Sequence, residues 1–587
     1  PDEVRARIAR ARAAQRGWKN STFAQRRHVL RIFLKFILEH QDDIVRLCCR
    51  DSGKTELGAS FGEVLPTCEK IQWMIDNGER ILSPQPRAAA RIMAYKEAWV
   101  EYHPFGVLGV ISPFNYPFTN FLNHIISGLF SGNAVVCKLS EHTSWSGAYF
   151  HRFVSAALTE ARDSGAVPMA HPDLVQVVTG FAESGAALVS GGVDKIIFTG
   201  STHVGRLVMK GAADAGITPC VLELGGKDPF VVLEDADLNG VFKLLMRGCF
   251  QNCGQNCIGV ERVYVQSSIY GRFLDMAAEK VGALKQGFPL SGESCDLGAT
   301  TMPGQIDIID GLVFDALEKG ARVLCGGECN QDMGAGLFFE PTLLVDVDHT
   351  MRIAKEEAFG PLMVVMPFES EVDLVRLAND SEFGLCSSIW SGSKTRATKL
   401  AEKLHVGMSN INDYGVNYLV QSLPFGGVKR SGFGRFGGPE GLRECCVLKS
   451  VTRDALPFIM TPLMMPPVID YPIGPHAVPF NKGLLHMTYG AGMAQKLGGL
   501  FTLLKSLVDF GAGGGSEEED VSELRARAFP NDYFDGAGAA EDGEPKKKAK
   551  KKAAPKKKKQ ATPKKTKKKA PPKKAKKTTR TKSRGRK

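Results

Sequence analysis

Apolar and polar positions change period along the chain. Between His28 and Leu38 apolar residues are dense but broken by charges at helical spacing, which predicts a core-packing helix over 22–50. Residues 91–103 alternate in part (Ile92, Ala94, Ala98, Val100) and read as an extended strand. From 105 to 265 short β-rich runs alternate with helical ones. The runs at 105–111, 134–138, 175–179, 195–199 and 229–233 predict strands. Those at 118–130, 143–163, 183–190 and 202–213 predict helices. Such alternation implies an α/β fold with a parallel, doubly wound sheet. A second α/β stretch follows over 226–425, and no internal repeat is visible. Residues 455–482 carry seven prolines, from Pro457 to Pro479, and predict an extended apolar strap rather than a helix. Residues 483–510 return to an amphipathic helical pattern.

Composition adds two constraints. With 587 residues, 43% of them hydrophobic and 24% charged, the chain can build several globular domains without disulfide staples. Its 14 cysteines form no regular framework, so a reducing compartment is expected. No run of 18 uninterrupted apolar residues predicts a transmembrane helix. The first residue is Pro1 rather than Met, so a signal or anchor could precede it. The net charge of +12 would suggest a polyanion binder, but 24 of the 75 basic residues lie in 546–587, which has no acid. The remaining 545 residues hold 51 basic and 63 acidic side chains. The body is therefore acidic, and a glycine-rich acidic linker over 511–545 joins it to a Lys/Pro/Ala tail unable to build a core.

Five segments could carry chemistry. In Phe250-Gln-Asn-Cys-Gly-Gln-Asn-Cys257, Cys257 follows a glycine-containing turn and could act as a nucleophile, its own N–H serving as an oxyanion donor. Cys253 competes for that role and could form a redox pair with it. In Glu223-Leu-Gly-Gly-Lys-Asp-Pro229, a carboxyl among apolar residues could have a raised pKa and act as a general base. Asn115, held between Pro113 and Pro117 at a strand end, could donate to an oxyanion. Lys138 and Glu141 follow a strand, where such sheets bind ligands, and Glu141 could accept both hydroxyls of a ribose. Phe198-Thr-Gly-Ser-Thr-His-Val-Gly205 reads as strand, turn and helix start, a place for phosphate. Gly53-Lys54-Thr55 looks like the end of a phosphate loop, but Cys48 stands where that motif needs Gly.

Taken together, the order and spacing of these segments resemble the aldehyde dehydrogenase superfamily over about 20–455. The strongest marks are Glu223-Leu-Gly-Gly-Lys and Gly254-Gln-Asn-Cys257, joined by Glu356-Glu-Ala-Phe-Gly-Pro361, Asn379-Asp-Ser-Glu-Phe-Gly-Leu385 and Pro424-Phe-Gly-Gly-Val-Lys-Arg-Ser-Gly432. The resemblance implies Cys257 as nucleophile, Glu223 as base and Asn115 as the oxyanion amide. It implies Lys138 and Glu141 at the adenosine ribose, with Glu141 disfavouring a 2′-phosphate, so NAD rather than NADP. Gly200, Ser201 and Gly205 then form the pyrophosphate turn, and Glu357 and Phe359 hold the nicotinamide ribose and ring. The implied reaction oxidises an aldehyde to its acid through a cysteine thiohemiacetal and thioester. Phe114 stands where the family usually has Trp, and Leu139 where it usually has Pro.

The resemblance also implies architecture: a Rossmann-like NAD-binding domain over 1–90 and 105–225, and a catalytic domain over 226–425. Oligomerisation strands over 91–104 and 443–454 would join a homodimer, or a tetramer. The C-terminal extension, beginning near Pro466-Pro-Val-Ile-Asp-Tyr-Pro472, is similar to that of a plant and fungal branch associated with endomembranes. A cytosol-facing protein at an endomembrane is expected, with a nuclear location as the alternative. The tail could bind anionic lipid or nucleic acid, or stay solvated. A catalytically retired body serving as a scaffold for that tail is the alternative function.

Overall fold

The computed structural model describes residues 1–334, 337–455 and 465–512. The linker beyond 512, the Lys-rich tail and residues 456–464 of the proline-rich strap lie outside the described residues. The chain divides into two compact units, Pro1–Pro467 and Val468–Lys587.

The first unit holds three sheets. In the first, the spatial order is Gly432–Phe433, Cys220–Glu223, Lys195–Thr199, Val107–Ile111, Ala134–Lys138, Val175–Val178. All pairings are parallel except that of the two-residue strand, which runs antiparallel to Cys220–Glu223. The chain lays down three strands outward from Val107–Ile111, then returns to place two on its other side. The switch point therefore falls between Val107–Ile111 and Lys195–Thr199, where a doubly wound sheet opens its ligand crevice at the carboxyl ends. Strands Ala134–Lys138 and Lys195–Thr199 are buried throughout, as a parallel sheet covered on both faces requires.

The second sheet has seven strands, in the order Arg322–Cys325, Thr342–Val345, Leu362–Phe368, Val260–Gln266, Asp228–Val232, Ser388–Trp390, Asn410–Ile411. Separate buried clusters pack around it, one built on Ile309, Leu312 and Ile389, the other on Phe230, Phe242 and Phe273. The third sheet is antiparallel: Lys96–Pro104 pairs with Gln85–Arg87 on one side and with Cys446–Asp454 along all nine residues on the other.

Four expectations need correction, one of them the single helical pattern over 483–510, which is broken between Tyr489 and Met493. The helix expected over 22–50 is two helices, Phe23–Glu39 and Gln41–Ser52, broken at His40 (φ −117°, ψ 19°). The start of the 91–103 strand is instead a short 3₁₀ turn at Arg91–Met93, with the strand beginning at Lys96. The strap expected to exclude helix contains the start of one, Ala477–Tyr489. Pro479 sits in that helix's first turn, where its missing N–H has no intrahelical partner to lose.

The second unit, as far as it is described, is a helical hairpin of Ala477–Tyr489 and Met493–Gly511. The helices touch through glycines: a Cβ on Gly483 would lie 2.5 Å from the Leu503 nitrogen, and one on Gly499 2.3 Å from that of Met487. No described helix is long and apolar enough to cross a membrane.

Candidate active site

Apart from Gly205, which lies in the first turn of helix Thr202–Gly216, the candidate residues stand at a carboxyl end of the first sheet or an amino end of the second. Asn115 follows Val107–Ile111, Gly200 and Ser201 follow Lys195–Thr199, and Glu223 ends Cys220–Glu223. Cys257 precedes Val260–Gln266, and Glu357 and Phe359 precede Leu362–Phe368.

Cys257, Glu223 and Asn115 line one cavity of about 330 Å³. Cys257 follows a sharply turned backbone. Asn252 and Cys253 both adopt left-handed φ/ψ, near (55°, 33°) and (57°, 34°), an arrangement costly for two consecutive non-glycine residues. A Cβ on Gly254 would come within 1.9 Å of the Gly360 carbonyl oxygen, so this turn admits only glycine there. Burial pushes the Cys257 thiol well above its ordinary pKa, and the nearby Glu223 carboxyl pushes it further. The resting nucleophile is thus a neutral thiol that must give up its proton. Burial pushes Glu223 up to about 7, with the Cys257 thiol offsetting part of the rise. One Glu223 oxygen is buried without a hydrogen-bond partner, as a waiting proton acceptor would be. Cys253 is 2% exposed and does not line the cavity that Cys257 faces, which removes it as a competing nucleophile. All 14 cysteines are free thiols, so the two form no disulfide.

Asn115 is pinned by residues that sequence reasoning missed. Its carbonyl oxygen accepts from Lys54 Nζ at 2.7 Å and from Asn252 Nδ2 at 2.9 Å. Its side chain accepts from Asn120 Nδ2 and donates to the Gln255 carbonyl, both at 3.2 Å. Lys54 is fully buried and paired with Glu63. The other Glu63 oxygen accepts from the N–H groups of Phe118 and Thr119, at 3.1 and 2.9 Å, at the start of helix Pro117–Phe130. Glu63 lies in a π-helical turn, Ser60–Val64, a distortion often found at functional sites.

The expected cofactor residues form the neighbouring part of the crevice. Lys138 Nζ donates to Glu141 Oε2 at 2.7 Å. Burial opposes the Glu141 charge, but Lys138 outweighs it and holds the carboxyl below its usual range. Ser201 caps helix Thr202–Gly216, its Oγ accepting from Val204 N–H. Gly205 lets that helix approach Leu224, whose Cδ2 would lie 2.5 Å from an added Cβ. Gly200 N–H donates to the Glu223 carbonyl at 3.0 Å, linking this turn to the base.

A second buried pair shapes the far wall. Lys227 Nζ donates to Glu261 Oε2 at 2.6 Å, and Glu261 accepts from the N–H groups of Ala358 and Phe359. These bonds hold Phe359 in a left-handed conformation (φ 50°). Glu357 Oε1 accepts from Gly226 N–H at 2.9 Å, and burial, aided by the Glu261 charge, pushes its carboxyl up to about 8. Phe114 meets His142 and Phe359 edge-on, with ring centroids at 5.9 and 6.1 Å. Leu139, where proline is usual, donates its N–H to the Val178 carbonyl at 3.0 Å, a bond proline could not make.

The signals for the missed residues were present but ambiguous. Lys54 is the middle residue of the rejected phosphate-loop fragment, and Lys227 belongs to the segment that supplied Glu223.

Known proteins similar to this chain identify its family. The profile of the aldehyde dehydrogenase family matches residues 1–451. A putative aldehyde dehydrogenase-like protein of Schizosaccharomyces pombe is 39% identical over 489 residues, covering 82% of this chain and 91% of its own. An NADP-dependent succinate-semialdehyde dehydrogenase of Escherichia coli is 35% identical, with 76% and 89% covered. The solved NAD⁺ complex of a Bacillus cereus aldehyde dehydrogenase matches with a TM-score of 0.71 at 30% identity, covering 78% of this chain and 89% of that one.

Proposed function

The chain belongs to the aldehyde dehydrogenase family, and from that premise we propose that it oxidises an aldehyde to the carboxylic acid with NAD, using Cys257 as a covalent nucleophile. The observation that carries the reading is the meeting of Cys257, Glu223 and Asn115 on one cavity.

Glu223 takes the thiol proton as Cys257 Sγ bonds to the aldehyde carbon. The carbonyl oxygen becomes an oxyanion facing the Asn115 amide and the Cys257 N–H. Preorganised donors of this kind are worth roughly 3–4 kcal/mol each. Held by Lys138, Glu141, Ser201 and Glu357, NAD would supply the hydride acceptor, and loss of hydride from that carbon would leave a thioester on Cys257. Glu223 passes the thiol proton to solvent and, ionised again, takes a proton from a water whose oxygen bonds to the thioester carbon; as the C–S bond breaks, Glu223 returns that proton to Cys257 Sγ and the acid leaves. The Lys138–Glu141 pair fits the two hydroxyls of an adenosine ribose, and Glu141 would repel a 2′-phosphate. That supports NAD even though the E. coli relative is named for NADP. Ser201 and the helix it caps fit the pyrophosphate.

Assembly as a homodimer through Cys446–Asp454 is supported by its place at a sheet edge, with Leu448 62% exposed. The catalytic reading is tested by following NADH formation with a panel of aldehydes. Cys257→Ala is expected to abolish it, and retained turnover in that variant would overturn the assignment.

A further inference from the structure

The cavity at Cys257 is walled mainly by carbon. Phe61, Pro66, Leu244, Ile258, Val416 and Phe425 contribute to it. Its polar side chains are largely engaged with one another: Asn120 donates to Asn115, and Asn256 donates to the Tyr414 hydroxyl at 3.0 Å. Arg247 is the one arginine or lysine in the lining; it is exposed, its guanidinium 5.6 Å from the centre of the Phe61 ring. The acids in the lining are Glu223 and Asp413. A carboxylate on a substrate would find no buried cation here and would face two acids instead.

Apolar side chains are also exposed on the two segments that supply Phe61 and Leu419 to the wall. Phe61 and Leu57 are about half exposed, and Leu419, Val420 and Leu423 more than a third. Of these, Phe61 and Leu419 line the cavity itself, and the short helix Val416–Leu419 packs near helix Leu65–Leu82, which directly follows the turn that carries Phe61. Gly62 helps make room, since a Cβ there would lie 2.5 Å from the Tyr116 ring.

We infer that the substrate is an aldehyde with a long, uncharged apolar chain, its aldehyde carbon at Cys257, its methylenes along the cavity and its far end on the exposed apolar side chains of Phe61 and Leu419. The inference rests on the catalytic reading above and narrows it to a substrate class.

The test is kcat/KM of the full chain with NAD across unbranched alkanals from propanal to hexadecanal, with succinate semialdehyde as the short anionic competitor. Burial of each methylene is expected to raise kcat/KM on the order of threefold until the cavity is filled, after which the gain levels off. Succinate semialdehyde is expected to fall at least tenfold below hexanal. A flat or falling series, or preference for succinate semialdehyde, would overturn the inference while leaving the catalytic reading intact. Leu419→Lys is expected to lower the dodecanal-to-propanal ratio of kcat/KM at least tenfold, and Leu419→Gln to lower it less; an unchanged ratio in both counts against the inference. If no aldehyde turns over, the catalytic reading fails, and the cavity is judged by protection of Cys257 from iodoacetamide. Dodecanamide is then expected to protect where propanamide does not, and equal protection would sink the inference.

Discussion

Glu223 should govern the pH dependence. Its carboxyl, pushed up to about 7, is protonated and idle as a base below that pH and ionised above it. The expected profile of kcat/KM therefore rises through about pH 7, and residual turnover in Glu223→Gln should lack that rise. Asn115→Ala should lower kcat by a factor on the order of 10²–10³ with a smaller change in KM, the cost of one oxyanion donor. Lys54→Met should lower kcat in the same direction by releasing the Asn115 carbonyl. It also strands the Glu63 carboxylate, a change expected to cost roughly 3–5 kcal/mol in denaturant unfolding. Glu141→Ser should narrow the preference for NAD over NADP, read as the ratio of kcat/KM for the two; an unchanged ratio would remove Glu141 from that role. Cys257, Glu223, Asn115 and Glu141 are legible in the sequence because each sits in a short contiguous motif. Lys54 and Glu63 are not, because a lysine and a glutamate nine residues apart read as two surface charges until the fold buries both. Glu261 is harder still, since its partners Lys227 and Phe359 lie far from it along the chain.

At the scale of elements, the strands over 134–138 and 195–199 have the bounds their sequence predicts, because both are buried on both faces and spell out continuous apolar runs. The misses fall where a local signal competes with a longer pattern. The 22–50 pattern keeps its apolar spacing across His40, yet two acids, Asp42 and Asp43, start a second helix there. Proline density argued against helix before 483, but a proline in a first turn costs a helix nothing. The long amphipathic pattern over 483–510 likewise conceals a turn, where Gly490 and Gly492 flank Ala491. The two helices approach closely because Gly483 and Gly499 present no side chain at the crossing. Gly499→Leu would drive a side chain into the backbone at Met487, so cleavage within 477–511 under limited proteolysis should speed up markedly. An unchanged cleavage rate would mean that the hairpin is held by something other than this crossing.

At the scale of the whole molecule, its edges and its charge point outward. Among the described residues, Cys446–Asp454 pairs along one side only, and Val447 and Leu448 stand exposed on it, a combination proteins usually cover. Leu448→Lys, which adds a charge to that edge, should shift the light-scattering mass from dimer towards monomer; a variant of unchanged mass would place the contact elsewhere. The charge divides differently from the fold. The first 545 residues carry an excess of acid, and the 24 basic residues of 546–587 carry the net positive charge. A polycation binds polyanions by releasing their counterions, so its affinity falls steeply with salt and depends little on sequence. The intact chain should therefore bind duplex DNA and anionic vesicles at low ionic strength and lose most of that binding between 50 and about 200 mM salt. Removal of 546–587 should abolish binding to both, because what remains repels them. If the truncated chain still bound vesicles but not DNA, attachment would belong to apolar surface in the body, and the tail would not be what localises the enzyme. Aldehyde oxidation should survive the truncation, since every residue assigned to the chemistry lies between Lys54 and Phe359.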